Sequence, residues 1–437
     1  MRRHFGTVAI FMAVALLLVG LPALSARREV VLWLGAWICQ NVPGDDLAWR
    51  MEEAFEAEYP DVDLKIVPVP WEGMLEKFLL AAQTGNLPDL LVSESFLGWT
   101  QLFASYGHFM DLTDLMMEIG EETFFPGVLE GHLYKGRYYS IPYRNSTRVL
   151  VYNKDMFQAA GLDPNRPPET WAELLEYAKK LTRDTNGDGI IDQWGFDYPV
   201  ARFCTVAPEY LRAVLRSYGA DILSSDMKEC TIDTPEAIEA IRFYTDLVTK
   251  HKVVSPEVIS YSDDDDWRAF GAKLTAMAMV GPWALSSYDR LYPDLNYGVA
   301  PIPSNTPGVP GPFGLIHMGW MVSKHTKVKE DCYNVIRFTV ARPEINAWYA
   351  HSTPANRHSW SEPAFLRRYR SDVIEVANKQ MEHAISSILL LPTGPQIARE
   401  VNVCIQRIIL GMDVETAVSE AKVIIDELLK EAWEKGW

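Results

Sequence analysis

At 437 residues the chain is too long for one ordinary hydrophobic core, which stops growing near roughly 250–300 residues, and about right for two. Apolar residues at 48% and charged residues at 23% describe an ordinary globular chain, and a formal net charge of −17 argues against nucleic acid or an anionic membrane surface as partner. A small or neutral partner fits that balance better.

Taken in order, the chain begins with Arg2 and Arg3, an apolar run from Phe5 to Leu24, and small residues at Ala23, Ser25 and Ala26. That is the pattern of a secretory signal over residues 1–26, with Ala23-Leu24-Ser25 as a competing cleavage site. An uncleaved anchor is the alternative, because the run approaches the roughly 20 residues of a spanning helix. No cysteine follows it, so a lipid-anchored terminus is not supported, and the absence of a later apolar run predicts a soluble remainder. The five cysteines, Cys39, Cys204, Cys230, Cys332 and Cys404, show no metal-ligand spacing. They read as buried free thiols, with a Cys204–Cys230 disulfide as the other option in an oxidising compartment.

Residues 29–140 alternate strand and helix. Val30 to Leu34 is a short apolar strand, and Asp45 is placed to cap a helix with Leu47, Met51, Phe55 and Tyr59 on one face. Val62, Leu64 and Ile66 alternate with Asp63 and Lys65 as a half-buried strand. Glu72 to Thr84 returns to the helical period, with Gly85 to end it, and Leu90 to Val92 is a continuous apolar strand that helices would cover on both faces. The pattern is βαβαβ and predicts an open, mainly parallel sheet. From Gly136 to Asp155 a proline and the polar run Arg144 to Arg148 separate two strand-like segments, as at a crossing between lobes beside a cleft. Helices are expected at Trp171 to Leu181 after Thr170 and at Ile238 to Val248 after Thr234-Pro235. Ala276 to Val280 is a buried strand ending in Gly281-Pro282-Trp283, and the prolines from Pro301 to Pro312 mark a loop or second crossing. Val414, Ala417, Ala421, Ile424 and Leu428 step by three and four, an amphipathic closing helix. The expected division is 27–142 plus 303–341 for one lobe and 143–302 plus 342–437 for the other.

Phosphate loops, nucleophile elbows, zinc-protease motifs and dinucleotide fingerprints are all missing, and the nine histidines are scattered singly. Aromatics carry the stronger signal. Trp37, Trp99 and Trp283 each follow a strand, and Trp320 precedes one, which are positions that line the crevice of an open α/β sheet. An aromatic face packs on the apolar face of a sugar ring while carboxylates and amides take its hydroxyls. Each tryptophan is also a plausible core residue, and Trp99, four before Phe103 on a helix, is assigned to the core. Glu94 is a hydroxyl acceptor or a helix N-terminal charge, and Arg144, Asn145 and Ser146 are cleft residues or a solvated turn. Asp184, Asn186, Asp188, the Ile190 carbonyl and Asp192 occupy five positions of a calcium loop, but Gly195 stands where the bidentate glutamate belongs. A structural calcium and a tight Asx turn are both open there. Asp263 to Asp266 reads as a helix start in preference to a second metal site.

Several pieces occur together in one order: Thr84-Gly85-Asn86-Leu87-Pro88-Asp89, Gly136 to Pro142, Val151-Tyr152-Asn153-Lys154-Asp155, Ala278 to Ala284, Tyr297 to Pro303, Gly319-Trp320, and the closing Ile409-Leu410-Gly411 with Ala417 to Ala421. With these the chain resembles the extracellular solute-binding proteins of ABC importers, in the carbohydrate-binding group that includes maltose-binding protein. The resemblance covers nearly all of the chain beyond the leader. It implies the two-lobed type II periplasmic-binding-protein fold, a sugar or oligosaccharide held between lobes, hinge closure about Ile141 to Arg144 and Ala300 to Pro303, delivery to a permease, and no catalysis or required cofactor. It implies a monomeric protein of the periplasm. Trp283 matches the aromatic that stacks on sugar, Trp37 lies in the contact loop after the first strand, and Glu94 lies within a residue or two of an acidic contact. Ser146 stands where some members carry a ligand carboxylate, and with Arg144 and Arg148 beside it an acidic or modified sugar becomes an option.

Overall fold

The computed structural model describes residues 26–39, 46–95, 98–262, 264–349, 353–386 and 389–434. The Phe5–Leu24 run, Asp45 and Asp263 lie outside them; among the described residues no helix is long and apolar enough to cross a membrane.

Among the described residues eleven strands run in chain order: β1 (Arg28–Gly35), β2 (Val62–Val69), β3 (Leu90–Glu94), β4 (Leu133–Tyr134), β5 (Arg137–Tyr138), β6 (Ile141–Ser146), β7 (Val149–Asn153), β8 (Met277–Val280), β9 (Tyr297–Ala300), β10 (Ile316–Val322) and β11 (Thr353–Pro354). Six of them form the first sheet, in the order β11-β6-β10-β3-β1-β2, and β8-β7-β9 form a second. In the first sheet β1 pairs parallel with β2 and β3, while β10 runs antiparallel between β3 and β6. The carboxyl ends of β1, β3 and β6 and the amino end of β10 therefore share one edge. In β2 the alternation predicted from Val62, Leu64 and Ile66 holds, with all three buried. β3 is covered on both faces: Leu90 and Val92 join the core under the Leu47–Glu58 helix, and Leu91 joins the core on the other side.

Helix ends follow local chemistry. The Thr170 hydroxyl accepts from the Glu173 amide at 3.1 Å to start Trp171–Leu181, and Thr234 does the same for Pro235–Thr249. Gly85 closes Met74–Thr84 at φ 70°, a left-handed conformation that needs glycine. The first helix has Asp46, not Asp45, at its N-cap. The closing helix Val414–Glu434 buries Val414, Ala417, Ala421, Ile425 and Leu429. Ile424 is exposed and Leu428 half-buried, because a 3.6-residue period drifts away from strict three-and-four steps over about four turns.

Two expectations about the crossings move. All of β6 pairs in the first sheet, with Asn145 opposite His317 and Ser146 opposite Ile316, so the chain changes lobes at Thr147 and Arg148, after the expected break at Pro142. Past β9, Gly311 donates to the Ile302 carbonyl at 2.7 Å and keeps the proline-rich loop on the second lobe until Phe313–Leu315. β11 then pairs with β6 in the first sheet, beyond the expected boundary at 341. Strand partners distant in sequence, and not the prolines, set where each crossing falls.

The calcium-like loop is a ladder of Asx turns. The Asp184 carboxylate accepts from the amides of Gly187 (2.6 Å) and Gly189 (2.7 Å), Asn186 from Asp188, Asp188 from Ile190, and Asp192 from Thr185. No three acidic, histidine or cysteine side chains among the described residues group as a metal site. These bonds match the turn alternative, and calcium addition is expected to leave the thermal melting midpoint where EDTA leaves it; a calcium-dependent rise would restore the metal reading.

Candidate functional site

The crossing segment is buried, polar and flanked by two tryptophans. Trp37 lies on the single turn Ala36–Ile38 directly after β1, and Trp283 opens the helix Pro282–Leu291 directly after β8, so each stands at the end of a strand in a different sheet. Both are half-buried. The Arg144 guanidinium lies 5.8 Å from the Trp37 ring centre and that of Arg148 lies 5.7 Å from the Trp283 ring centre. Each is within the reach of a cation–π contact. Trp71 meets Trp37 edge-on at 5.3 Å, and Trp267 meets Trp283 the same way at 5.7 Å, fixing both indoles.

Gly281 explains itself here. A Cβ at that position would fall 2.5 Å from a terminal nitrogen of Arg148 and 2.4 Å from the Trp283 indole nitrogen, so glycine lets the arginine lie along the backbone beside the aromatic. Arg148 also sits 5.8 Å from the Tyr210 ring. The Tyr210 hydroxyl reaches the Asp266 carboxyl and, at 2.6 Å, the Met279 carbonyl. Burial pushes the Asp266 carboxyl up to about 7, with the neighbouring Arg148 and the Tyr210 hydroxyl opposing that rise. Asp266 does stand in the first turn of a helix, Asp265–Gly271, as expected, but its side chain is buried in this cluster and not solvated.

Between the two arginines several polar atoms are buried without hydrogen bonds: Nε of Arg144, both amide atoms of Asn145 and the Thr147 hydroxyl, with the Trp37 indole N–H beside them. Ser146 donates to the Thr147 carbonyl at 3.1 Å. A buried polar group left unsatisfied costs about 1–3 kcal/mol, and here such groups fall on three of the four consecutive positions 144–147, a concentration of unused donors and acceptors suited to a polar ligand.

Glu94 ends β3 in register with Met318 at the same sheet edge. Trp320 does not join the site. Because β10 runs antiparallel to β3, its amino end meets the cleft, and Trp320, opposite Val92 and Ile141, points into the core between Tyr143 and Tyr349 with no exposed surface. Trp99 is core, as assigned. All five cysteines are buried free thiols.

On the opposite face of the first sheet His132 and His317 lie with ring centres 5.0 Å apart, fully buried. Burial holds His132 well below the ordinary histidine range and brings His317 down to about 3, so both are neutral imidazoles. Gly319 makes room for this pair, since a Cβ there would fall 2.6 Å from the His132 ring. The Met-Gly-Trp motif is thus a packing device on both of its faces.

A cavity of about 490 Å³ opens between the lobes, with Trp71, Glu72 and Trp99 on one side and Phe203, Pro395 and Arg399 on the other. Arg399 and Glu76 face each other across it at 4.0 Å.

Two α/β lobes joined by crossing strands, with a polar, aromatic-lined site at the crossing and a cavity between the lobes, define a two-lobed solute-binding protein. Residues 47–338 match the family model of the bacterial extracellular solute-binding proteins, and the chain belongs to that family. A binding protein of Brucella abortus is 27% identical over 390 residues, 87% of this chain and 89% of that one. The sn-glycerol-3-phosphate-binding periplasmic protein UgpB of Escherichia coli is 27% identical over 345 residues, 76% of this chain and 75% of that one. Among solved structures, an ABC transporter solute-binding protein of Thermotoga lettingae bound with α-D-tagatose superposes with a TM-score of 0.80 at 25% identity, covering 92% of this chain and all of that one. Members of this family are binding proteins.

Proposed function

We propose that the chain is the extracytoplasmic binding subunit of an ABC importer. It takes a sugar or oligosaccharide between Trp37 on the first lobe and Trp283 on the second, and presents the closed pair of lobes to the permease. The observation that carries this reading is the placement of two tryptophans from two different sheets at one crossing, each fixed against an arginine of the crossing segment. Asn145 and Ser146 supply hydroxyl-bonding groups on the same edge, where Glu94 ends β3. Hinge closure about Thr147–Arg148 and Phe313–Leu315 brings the walls together, with the cavity by Trp71 and Phe203 leaving room for a second sugar unit. The leader over residues 1–26 exports the protein to the periplasm, where it acts as a monomer without catalysis or required cofactor.

The tagatose-bound neighbour and the glycerol-3-phosphate-binding relative support a small hydroxylated ligand. A non-sugar solute on the same fold is the main competitor, and a secreted carbohydrate-active enzyme is the weaker one. A thermal-shift screen of sugars, polyols and their derivatives, followed by titration calorimetry, tests the reading. Trp283→Ala is expected to raise Kd for the sugar found by about 10- to 100-fold, the loss of one stacked, desolvated aromatic. Unchanged affinity in that variant would remove the stacking role, and turnover of a glycoside would favour the enzyme.

A further inference from the structure

Acidic residues outnumber basic ones 58 to 41 in this chain, yet among the described side chains the buried cation Arg144 has no carboxylate paired with it. Arg144 is 7% exposed, and its Nε makes no hydrogen bond. Among the described side chains, which do not include that of Glu94, it enters no ion pair; the Trp37 ring lies 5.8 Å from it, and its field reaches the neutral phenols of Tyr349 and Tyr369. Arg148, four residues on, differs: Asp266 lies within its field beside Tyr210. A guanidinium withdrawn from water normally keeps a carboxylate, because burying an isolated charge is far more costly than burying a pair. Around Arg144 the next groups along the chain, the Asn145 amide and the Thr147 hydroxyl, are likewise buried with hydrogen-bonding capacity unused. Cation, amide and hydroxyl are the set that recognises an oxyanion: a forked charge for two oxygens and neutral donors for the remainder.

We propose, resting on the binding function above, that the solute carries an anionic group, a phosphate or a carboxylate on a sugar or polyol, and that Arg144 is the residue that recognises it. The missing countercharge is then part of the ligand, and the protein selects against neutral sugars because they leave the guanidinium buried without a partner.

Matched pairs test this by titration calorimetry: glycerol with sn-glycerol 3-phosphate, and glucose with glucose 6-phosphate and with glucuronate, the last two arms separating phosphate from carboxylate. The charged member of at least one pair should bind about tenfold tighter or better than its neutral partner, weaken as salt is raised, and be displaced by inorganic phosphate or sulfate. Arg144→Gln should lower affinity for the charged member about 10- to 100-fold and abolish the preference, with Arg144→Lys retaining part of it. The ligand-free Arg144→Gln protein should melt at or above the wild-type midpoint, since it no longer buries a lone cation, whereas an arginine kept for packing alone would leave a less stable variant. Tight binding of a neutral sugar that is indifferent to Arg144→Gln would overturn the anion seat and leave the binding function standing. Failure of every probe, neutral and charged, to bind the wild-type protein would overturn the sugar and polyol reading together with the seat.

Discussion

Arg212→Met is expected to cost about 3–5 kcal/mol of stability, the range for removing one partner of a buried ion pair. Arg212 is almost completely buried in the helix Ala207–Ser217. Its guanidinium grips the Asp221 carboxylate with two bonds, 2.7 and 3.0 Å, and meets Glu209 at 3.3 Å. A further bond of 2.9 Å to the Ser386 carbonyl ties this network to the segment alongside the second crossing, where Leu315 donates to the Ile385 carbonyl. Gly314 has no room for a side chain because a Cβ there would fall 1.9 Å from a Glu209 oxygen. Removing the cation takes a charge partner from the fully buried Glu209 and leaves Asp221 the looser 3.5 Å contact to Arg216, and the crossing that leans on them loses support. Urea unfolding at neutral pH measures the loss. A variant that also carries Glu209→Gln and Asp221→Asn should recover much of it, since the penalty lies in the abandoned charges. A loss below about 1 kcal/mol in Arg212→Met would mean that water reaches the network and that it does not brace the crossing.

The second large effect is a pH dependence carried by Asp266. Its folded-state pKa, raised to about 7, lies above the unfolded value of about 3.9. Between those values the native carboxyl holds a proton that the unfolded chain has released, so stability falls as pH rises through the window and levels off above about 7. The full difference is on the order of 4 kcal/mol. Asp197, also buried and raised for the same reason, with Asp266 as its nearest like charge, acts in the same direction. His132 and His317 oppose them: both are held neutral, so their contribution is lost as pH falls below about 6.5. The wild-type profile between about pH 4 and 6.5 therefore sums opposing slopes, and the Asp266 part emerges by difference. Asp266→Asn should gain stability relative to wild type steadily from about pH 4 to about pH 7 and hold that gain above it. Urea unfolding of both proteins at several pH values measures this, and a constant difference across the series would place the Asp266 pKa near its ordinary value.

Much of the scaffold was legible before any coordinates. The strand alternation in β2, the threonine caps at Thr170 and Thr234, the glycine stop at Gly85 and the continuous apolar run of β3 are decided within a few residues, and each stands where the local pattern puts it. The tryptophans after β1 and β8 were found from strand ends alone. Trp320 was not separable from them, because which end of β10 meets the cleft depends on its pairing with β3, more than 220 residues away. The crossings were read early, at Pro142 for Thr147 and at Pro303 for Phe313, for a related reason: proline marks where a strand is discouraged, but β6 extends as far as β10 and β11 supply partners.

The polar heart of the site divides the same way. Composition and local order were enough to establish two lobes, a polar crossing from Arg144 to Arg148, and a tryptophan raised at the end of a buried strand by Gly281-Pro282. Tertiary structure alone decided that Arg148 shares the Trp283 ring and lies close to Asp266, that Arg144 meets Trp37 and, among the described side chains, no carboxylate, and that Gly281, Gly314 and Gly319 are spaces for side chains from remote segments. Local sequence sets backbone conformation and which faces are apolar. Whether a buried charge finds its counterpart depends on where the chain's distant segments come to rest, which no local pattern around Arg144 or Arg148 states.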